Sequence, residues 1–301
     1  MAAAFERIRP YVRRTPMIEL EVDGVRLWAK LEQHQRSGSF KFRGAIHCLL
    51  AADLVLPVVA ASGGNHGIAV AVAAAVLGRK ATVFVPATAP AAKQQAIRET
   101  GAELRAVGAV YADAEAAARE FVAGFDAVFV HPYADPVVMA GQGTCLAEAL
   151  EQQPDLGSWV VAVGGGGLLA GSLAAAGDRV RVYPVEPVGA PTLARAVAAG
   201  RPVPVKIDTV TASALGATTV SPVALRMAQR AGRPVALVDD RAILAAQRLL
   251  WDDYRILVEP AGAGALAAVR SGQVPAGAGT CVLLCGANTD RLPERSVPRF
   301  E

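Results

Sequence analysis

Short runs of apolar, β-branched residues alternate with longer alanine-rich stretches along most of this chain, and that rhythm restricts it to parallel βα units. The expected strand and helix pairs are 58–61 with 65–77, 81–85 with 91–99, and 127–130 with 139–153. The pattern continues with a strand at 159–163, a helix from Leu168, a strand at 179–185 and a last strand at 281–284. Within these strands the apolar residues are consecutive, as expected where helices cover both faces of a sheet. The fold class is therefore α/β. Residues 201–221 carry Pro, Thr and Val without a period and are assigned no structure.

A chain of 301 residues buries enough core to need neither a disulfide nor a metal staple. Its 30 Lys and Arg nearly balance 27 Asp and Glu, and the basic residues form no stripe interleaved with aromatics, which argues against nucleic acid as a partner. Cys48, Cys145, Cys281 and Cys285 match neither a zinc hook nor a CxxC redox pair, and such cysteines fit a reducing cytoplasm. The first residues are charged early and interrupted by Pro10, unlike a secretion signal. The longest apolar stretch, 68–78, falls short of the roughly 20 residues that cross a bilayer. A soluble, cytoplasmic protein without a membrane partner is expected. No stretch has linker composition, so any two domains are expected to pack closely, and with the end soon after Leu284 no regulatory domain is expected.

The run from Val160 through Gly164, Gly165, Gly166 and Gly167 to Leu168 reads as a buried strand that turns through four glycines into a helix. Absent side chains let a ligand approach the backbone, and the helix start offers unpaired N–H groups and a positive dipole end to a phosphate. Gly165, Gly167 and Ala170 also satisfy the GxGxxA dinucleotide pattern, with Glu186 about 20 residues further on, so two kinds of phosphate ligand remain open at this point. A nucleotide triphosphate loop is excluded by Leu168 and Leu169, where a lysine and a hydroxyl would be required.

Three further motifs bear on the choice. In Ser37-Gly38-Ser39-Phe40-Lys41-Phe42-Arg43-Gly44 a lysine sits between two phenylalanines, and apolar neighbours lower an amine's pKa by desolvation. A lysine kept partly neutral forms a Schiff base with an aldehyde. From this motif alone the plainer reading, a helix-start lysine with its ammonium in water, is preferred. Ser62-Gly63-Gly64-Asn65-His66-Gly67 opens another helix after a strand. Ser62 is expected to cap that helix, the turn amides to hold a carboxylate, and Asn65 to offer its amide to a second polar group. His66 is a base or, more ordinarily, a structural histidine. Cys285 ends the last strand, where ligands bind in open α/β sheets, and is otherwise a small core residue.

Taken in order, these motifs resemble the serine/threonine dehydratase family of pyridoxal-phosphate enzymes, the fold type II or tryptophan-synthase-β-like group. The similarity begins at Arg14-Thr15-Pro16 and runs through SGSFKFRGA at 37–45, SGGNHG at 62–67, GQGT at 141–144 and GGGGL at 164–168. It closes with Glu259-Pro260 and Cys285-Gly286. The resemblance implies two open, mostly parallel sheets flanked by helices, with a smaller domain at 57–131 inserted into a larger one made of 1–56 and 132–301. It implies pyridoxal 5′-phosphate as cofactor, held covalently by Lys41, with Phe40 beside it. Gly164, Gly165, Gly166, Gly167 and Leu168 would bind the phosphate, Asn65 the ring hydroxyl, and Cys285 would face the ring nitrogen. Ser62, Gly63, Asn65 and His66 would surround the substrate carboxylate. Lys41 would also be the base at Cα, and the leaving hydroxyl would take its proton through the cofactor phosphate. The implied reaction is β-elimination from L-serine or L-threonine to a 2-keto acid and ammonia, in a homodimer.

The chain departs from relatives at two points. Serine racemases carry a serine where this sequence has Gly63, which offers no acid to the opposite face of Cα, so racemisation is disfavoured. Some relatives bind a divalent cation at residues matching Glu186, the Ala190 carbonyl and a carboxylate two positions on; here that position is Thr192, which disfavours a hard divalent ion and leaves a looser monovalent one open. The substrate's side chain is undecided among serine, threonine and 3-hydroxyaspartate. The rivals of other classes are an NAD-dependent oxidoreductase using Gly165, Gly167, Ala170 and Glu186, and a catalytically silent binding protein of the same fold.

Overall fold

The computed structural model describes residues 1–293. Helix α1 (Ala2–Ile8) leads into an antiparallel hairpin of β1 (Met17–Val22) and β2 (Val25–Leu31). Its two-residue turn, Asp23-Gly24, has positive φ at both positions, 50° and 77°, the backbone that matches the twist of a tight hairpin. The hairpin lies outside the βα rhythm, although its Asp-Gly pair is a recognised turn signal. Helix α2 (Lys41–Ala51) follows.

The next four strands are contiguous in the chain and form their own parallel sheet: β3 (Val58–Ala61), β4 (Ala81–Val85), β5 (Glu103–Ala106) and β6 (Val128–Phe129), in the order β5-β4-β3-β6. Their crossovers are α3 (Asn65–Val76), α4 (Ala91–Arg98) and α5 (Tyr111–Ala123). The chain then returns through α6 (Pro136–Gln152), β7 (Ser158–Ala162), α7 (Gly167–Ala176), β8 (Arg181–Pro187), α8 (Thr192–Ala199), the short α9 (Ala212–Leu215), α10 (Pro222–Ala231) and β9 (Ala236–Val238). Helices α11 (Asp240–Tyr254) and α12 (Pro260–Arg270) precede the last strand, β10 (Thr280–Leu284). The second sheet has the order β1-β2-β10-β7-β8-β9 and is parallel except where β1 meets β2.

Two mostly parallel sheets with helices on their faces agree with the expected α/β class. Alternate residues of the central strands explain the consecutive apolar runs. Trp159, Val161 and Leu283 pack on one face with Leu146 and Leu169, whereas Val160, Val282 and Leu284 pack on the other with Ile243 and Leu266. Strand β5 is absent from the rhythm because it is an edge strand with both ends exposed and needs no apolar run, whereas β9 is apolar but only three residues long, too short to stand out as a strand. Residues 201–221 are irregular apart from α9. The expectation for Ser62 is corrected. The residue capping α3 is Gly64, without a side-chain cap, and the Ser62 hydroxyl, two residues before the cap position, instead accepts from the Gly64 N–H at 3.2 Å.

Candidate active site

Strand β7 is held in the sheet through Val163, whose N–H donates to the Val185 carbonyl at 2.8 Å; the chain then leaves it through Gly164–Gly166 into α7. Gly166 has φ of 89°, a left-handed conformation that side chains avoid. A Cβ at Gly165 would strike the Tyr133 ring, and one at Gly166 the Ala224 methyl. The glycines therefore let Tyr133 and α10 close over the loop, besides opening its backbone to a ligand. The N–H groups that start α7 have no carbonyl one turn earlier within the helix, which leaves them for an anion.

Opposite this loop stands Lys41. It opens α2, and the preceding segment is joined to the end of β10 by the Phe40 N–H donating to the Cys285 carbonyl at 3.0 Å and by a bridge between Ser39 and Gly286. Its amine donates to the Pro132 carbonyl at 2.9 Å and lies 5.4 Å from the centre of the Phe40 ring. The side chain is open to the cavity but enclosed by protein, and this desolvation lowers the amine to about 8. The solvated helix-start lysine that the motif alone favoured is thereby overturned.

One cavity is lined by Phe40, Lys41, Asn65, Tyr133, the Gly164–Leu168 segment and Cys285. Burial pushes the Cys285 thiol up to about 12, so it stays neutral, and its sulfur lies 3.6 Å from the Ala261 carbonyl. Asn65 is anchored at both ends of its amide: its nitrogen donates to Glu259, and its oxygen accepts from Asn288 at 3.0 Å. Ser62 and Gly63 sit half-buried in the turn before α3. His66 is buried, its Nε2 facing the Val130 carbonyl at 2.9 Å, and burial, followed by the nearby Lys41, pushes its pKa down to about 3. With Nε2 as donor the ring is neutral and its Nδ1 has no partner, an arrangement that suits an acceptor fixed in place better than a titrating base.

Sequence reasoning missed three residues of this neighbourhood. Tyr133 covers the glycine loop, and nothing in its local sequence announces this. Lys93 in α4 lies within 3.1 Å of Glu259, a pairing across 166 residues that no local pattern encodes. Glu259 was visible only as part of the Glu-Pro pair. Glu186, which a dinucleotide would require at a ribose, is turned inward. It accepts from the Thr192 hydroxyl and the Leu193 N–H, both at 2.7 Å, and from the Ala194 N–H at 2.9 Å. Burial raises it to about 7 despite those donors, and its oxygens are thus occupied by the start of α8.

These residues fit a phosphorylated pyridine aldehyde. A helix start stripped of side chains faces a desolvated amine across one cavity, and a neutral thiol lines the same space. Residues 8–286 match the family model described as pyridoxal-phosphate dependent enzyme. The chain belongs to the pyridoxal-phosphate-dependent enzymes, in the serine/threonine dehydratase family of fold type II. It is 36% identical to the L-threonine ammonia-lyase of Geobacter sulfurreducens over 95% of this chain and 74% of that protein. It is 32% identical to the beta-hydroxyaspartate dehydratase of Paracoccus denitrificans over 97% of both chains. The structure of maize serine racemase superposes with a TM-score of 0.90 at 31% identity, covering 96% of this chain and 92% of that one. Among solved and curated relatives, dehydration and racemisation thus occur on one pyridoxal-phosphate scaffold, and the residues of the site must decide between them.

Proposed function

We propose that this pyridoxal-phosphate enzyme removes water from L-serine or L-threonine and releases the 2-keto acid and ammonia. The observation that carries the reading is the Lys41 amine, desolvated and facing the glycine loop across one cavity. When bound, the cofactor supplies an electron sink for the pair left at Cα. Lys41 anchors it, and the same amine, held beside Cα, takes the α-proton; a pKa near 8 keeps it matched to proton transfer at neutral pH. The amides of Gly164–Leu168 hold the phosphate, Phe40 packs beside the anchor, and Asn65 turns its amide to the ring hydroxyl. Cys285 offers the ring nitrogen only a weak neutral donor, which favours prompt loss of the β-substituent over transamination. The Ser62 hydroxyl and the backbone N–H groups of Gly63, Asn65 and His66, at the turn that opens α3, receive the substrate carboxylate. The net change is one hydroxy amino acid to one keto acid plus ammonia, the water lost in elimination being returned when the enamine hydrolyses.

Two observations favour this outcome over the neighbouring activities. Lys41 is the charged residue among those lining the cavity, so a second carboxylate, as in 3-hydroxyaspartate, would meet no cation of its own. Gly63 supplies no acid for the opposite face of Cα, which disfavours racemisation. At Glu186 a divalent ion would have to displace three donors, whereas a loosely held monovalent ion is the milder requirement. We assign 57–131 as the smaller domain, supported by its self-contained sheet, and 1–56 with 132–301 as the larger; residues 294–301 of that assignment lie outside the described ones. A cytoplasmic homodimer completes the reading. The cytoplasmic part is supported by four free, buried cysteines, which fit a reducing compartment; among the described residues no helix is long and apolar enough to cross a membrane.

The test is direct. Purified protein should absorb visible light, borohydride should fix the cofactor on Lys41, and L-serine or L-threonine should yield more keto acid than 3-hydroxyaspartate. Formation of D-serine without keto acid would overturn the assignment. Cys285→Asp should raise transamination relative to elimination, and an unchanged product ratio would remove Cys285 from the argument.

A further inference from the structure

Side chains from the two sheet layers converge on one buried carboxylate. Glu259, at the start of α12 in the six-stranded layer, is 2% exposed. From the four-stranded layer Asn65, at the start of α3, donates its Nδ2 to Oε1, and Lys93 of α4 places its Nζ 3.1 Å from Oε2. Lys93 is itself 5% exposed and also lies 3.4 Å from the Ser213 hydroxyl in α9. The remaining end of the Asn65 amide is held from the six-stranded layer by Asn288, whose Nδ2 also donates to the Ser37 carbonyl at 2.9 Å. Gly286 completes the fit, since a Cβ there would press on Glu259, Ser39 and Asn65 together.

We propose that Glu259 is a positioning residue that aims Asn65 into the cofactor cavity, and that Lys93 closes the two layers onto it. A primary amide can sit in either of two flipped orientations. With Asn288 donating to Oδ1 and Glu259 accepting from Nδ2, Asn65 has one orientation, which leaves a single Nδ2 hydrogen for the cavity that it lines. Glu259 can be buried only if its charge is met, and an amide donor does not meet it. Lys93 supplies that charge from the other layer. When the layers part, both ions regain water, so Coulomb attraction and desolvation largely offset each other and the contact sets register without locking the protein shut. Orientation of Asn65 is thereby tied to closure, because both of its partners belong to the layer that Lys93 grips.

The role given to Asn65 rests on the proposed function, whereas the closing contact can be read without it. Lys93→Met, Lys93→Arg and Glu259→Gln are compared with the wild-type holoenzyme and with the cofactor-free protein. In Lys93→Met, amide exchange should accelerate at 62–67 and 212–217 in both forms, and the substrate KM should rise by about tenfold or more with a smaller change in kcat, because the closed state then buries an unpaired carboxylate. Lys93→Arg should restore most of both. Glu259→Gln should also shift the absorption maximum of the bound cofactor, as Asn65 loses its fixed orientation. Should Lys93→Met fail to fold, Lys93→Gln is measured in the same way, since it retains a donor without the charge. Wild-type exchange rates and KM in the uncharged variant would overturn the closing contact, and an unmoved absorption maximum in Glu259→Gln would overturn the positioning role. A wild-type protein that cannot be fixed at Lys41 by borohydride would instead defeat the proposed function, with the exchange comparison still reporting on closure.

Discussion

Two cations stand two residues apart on α2 and meet opposite surroundings. Arg43 points into a dry cluster. Its guanidinium lies 2.7 Å from Glu32 and 2.9 Å from Glu148, while Lys30 lies 2.6 Å from the same Glu148 oxygen and Thr15 donates to Glu32 at 2.6 Å. Two positive and two negative groups thus satisfy one another where side-chain exposure is at most 2%. Among the described residues Lys41 has no carboxylate at salt-bridge distance, and its amine donates to the Pro132 carbonyl. Burial acts on both, but the carboxylates raise Arg43 well above its ordinary value, whereas the unpaired Lys41 falls to about 8. A buried cation among carboxylates becomes a strut that ties α2 to β2 and α6. A buried cation without them becomes a nucleophile.

The largest effect expected from this contrast is on Lys41→Ala, which should lower kcat by at least about 10³-fold, as loss of a base and covalent anchor implies, while its melting temperature stays near wild type. A comparable loss of melting temperature would mean that Lys41 is a strut after all. Next is Glu148→Gln, which leaves Lys30 and Arg43 sharing the one carboxylate of Glu32. It should destabilise the fold by about 3–5 kcal/mol in denaturant titrations, as removal of one buried ion partner does. Stability within about 1 kcal/mol of wild type would show the cluster to be wet.

The third test reads the pKa itself. Only the neutral amine attacks an aldehyde, and the neutral fraction grows as pH rises through the pKa. The rate at which cofactor-free enzyme takes up pyridoxal phosphate should therefore climb to about pH 8 and level off, instead of rising towards the ordinary lysine value of 10.5. Placing a carboxylate in the cavity by Cys285→Asp should move that midpoint to higher pH and make Lys41 more like Arg43. Least affected should be Thr15→Val, which removes one hydroxyl donor to Glu32 and should cost about 1 kcal/mol of stability, with the uptake profile unchanged.

Legibility in the sequence followed the same division. Strands β3, β4, β7 and β10 and the helices after the first three were visible because both of their faces are covered, which makes their apolar runs continuous. Edge strand β5 hid behind its mixed composition, and β9 behind its length of three residues. The glycine loop was legible as an anion site, since helix-start amides and missing side chains are local properties of the backbone. Lys41 was not legible from its own motif: two flanking phenylalanines do not establish desolvation, because only Phe42 is wholly buried and the enclosure comes from Pro132, the glycine loop and the end of β10. The His66 ring is buried with its Nε2 on the Val130 carbonyl, a contact 64 residues away that its motif does not encode, and Ser62 did not act as the cap its residue type suggested.

What the sequence alone determined is backbone behaviour: where strands run, where chain reversals need glycine, and where helix starts expose their amides, all consequences of interactions within a few residues. What only the tertiary structure decided is the charge state of the groups set on that backbone. Lys41 and Arg43 share a helix and nearly a sequence position, yet one meets Pro132 and the other Glu32 and Glu148. Of these partners Glu32 is 11 residues from Arg43, but Glu148 is 105 from Arg43 and Pro132 is 91 from Lys41, and a linear pattern holds no record of which distant segments will meet.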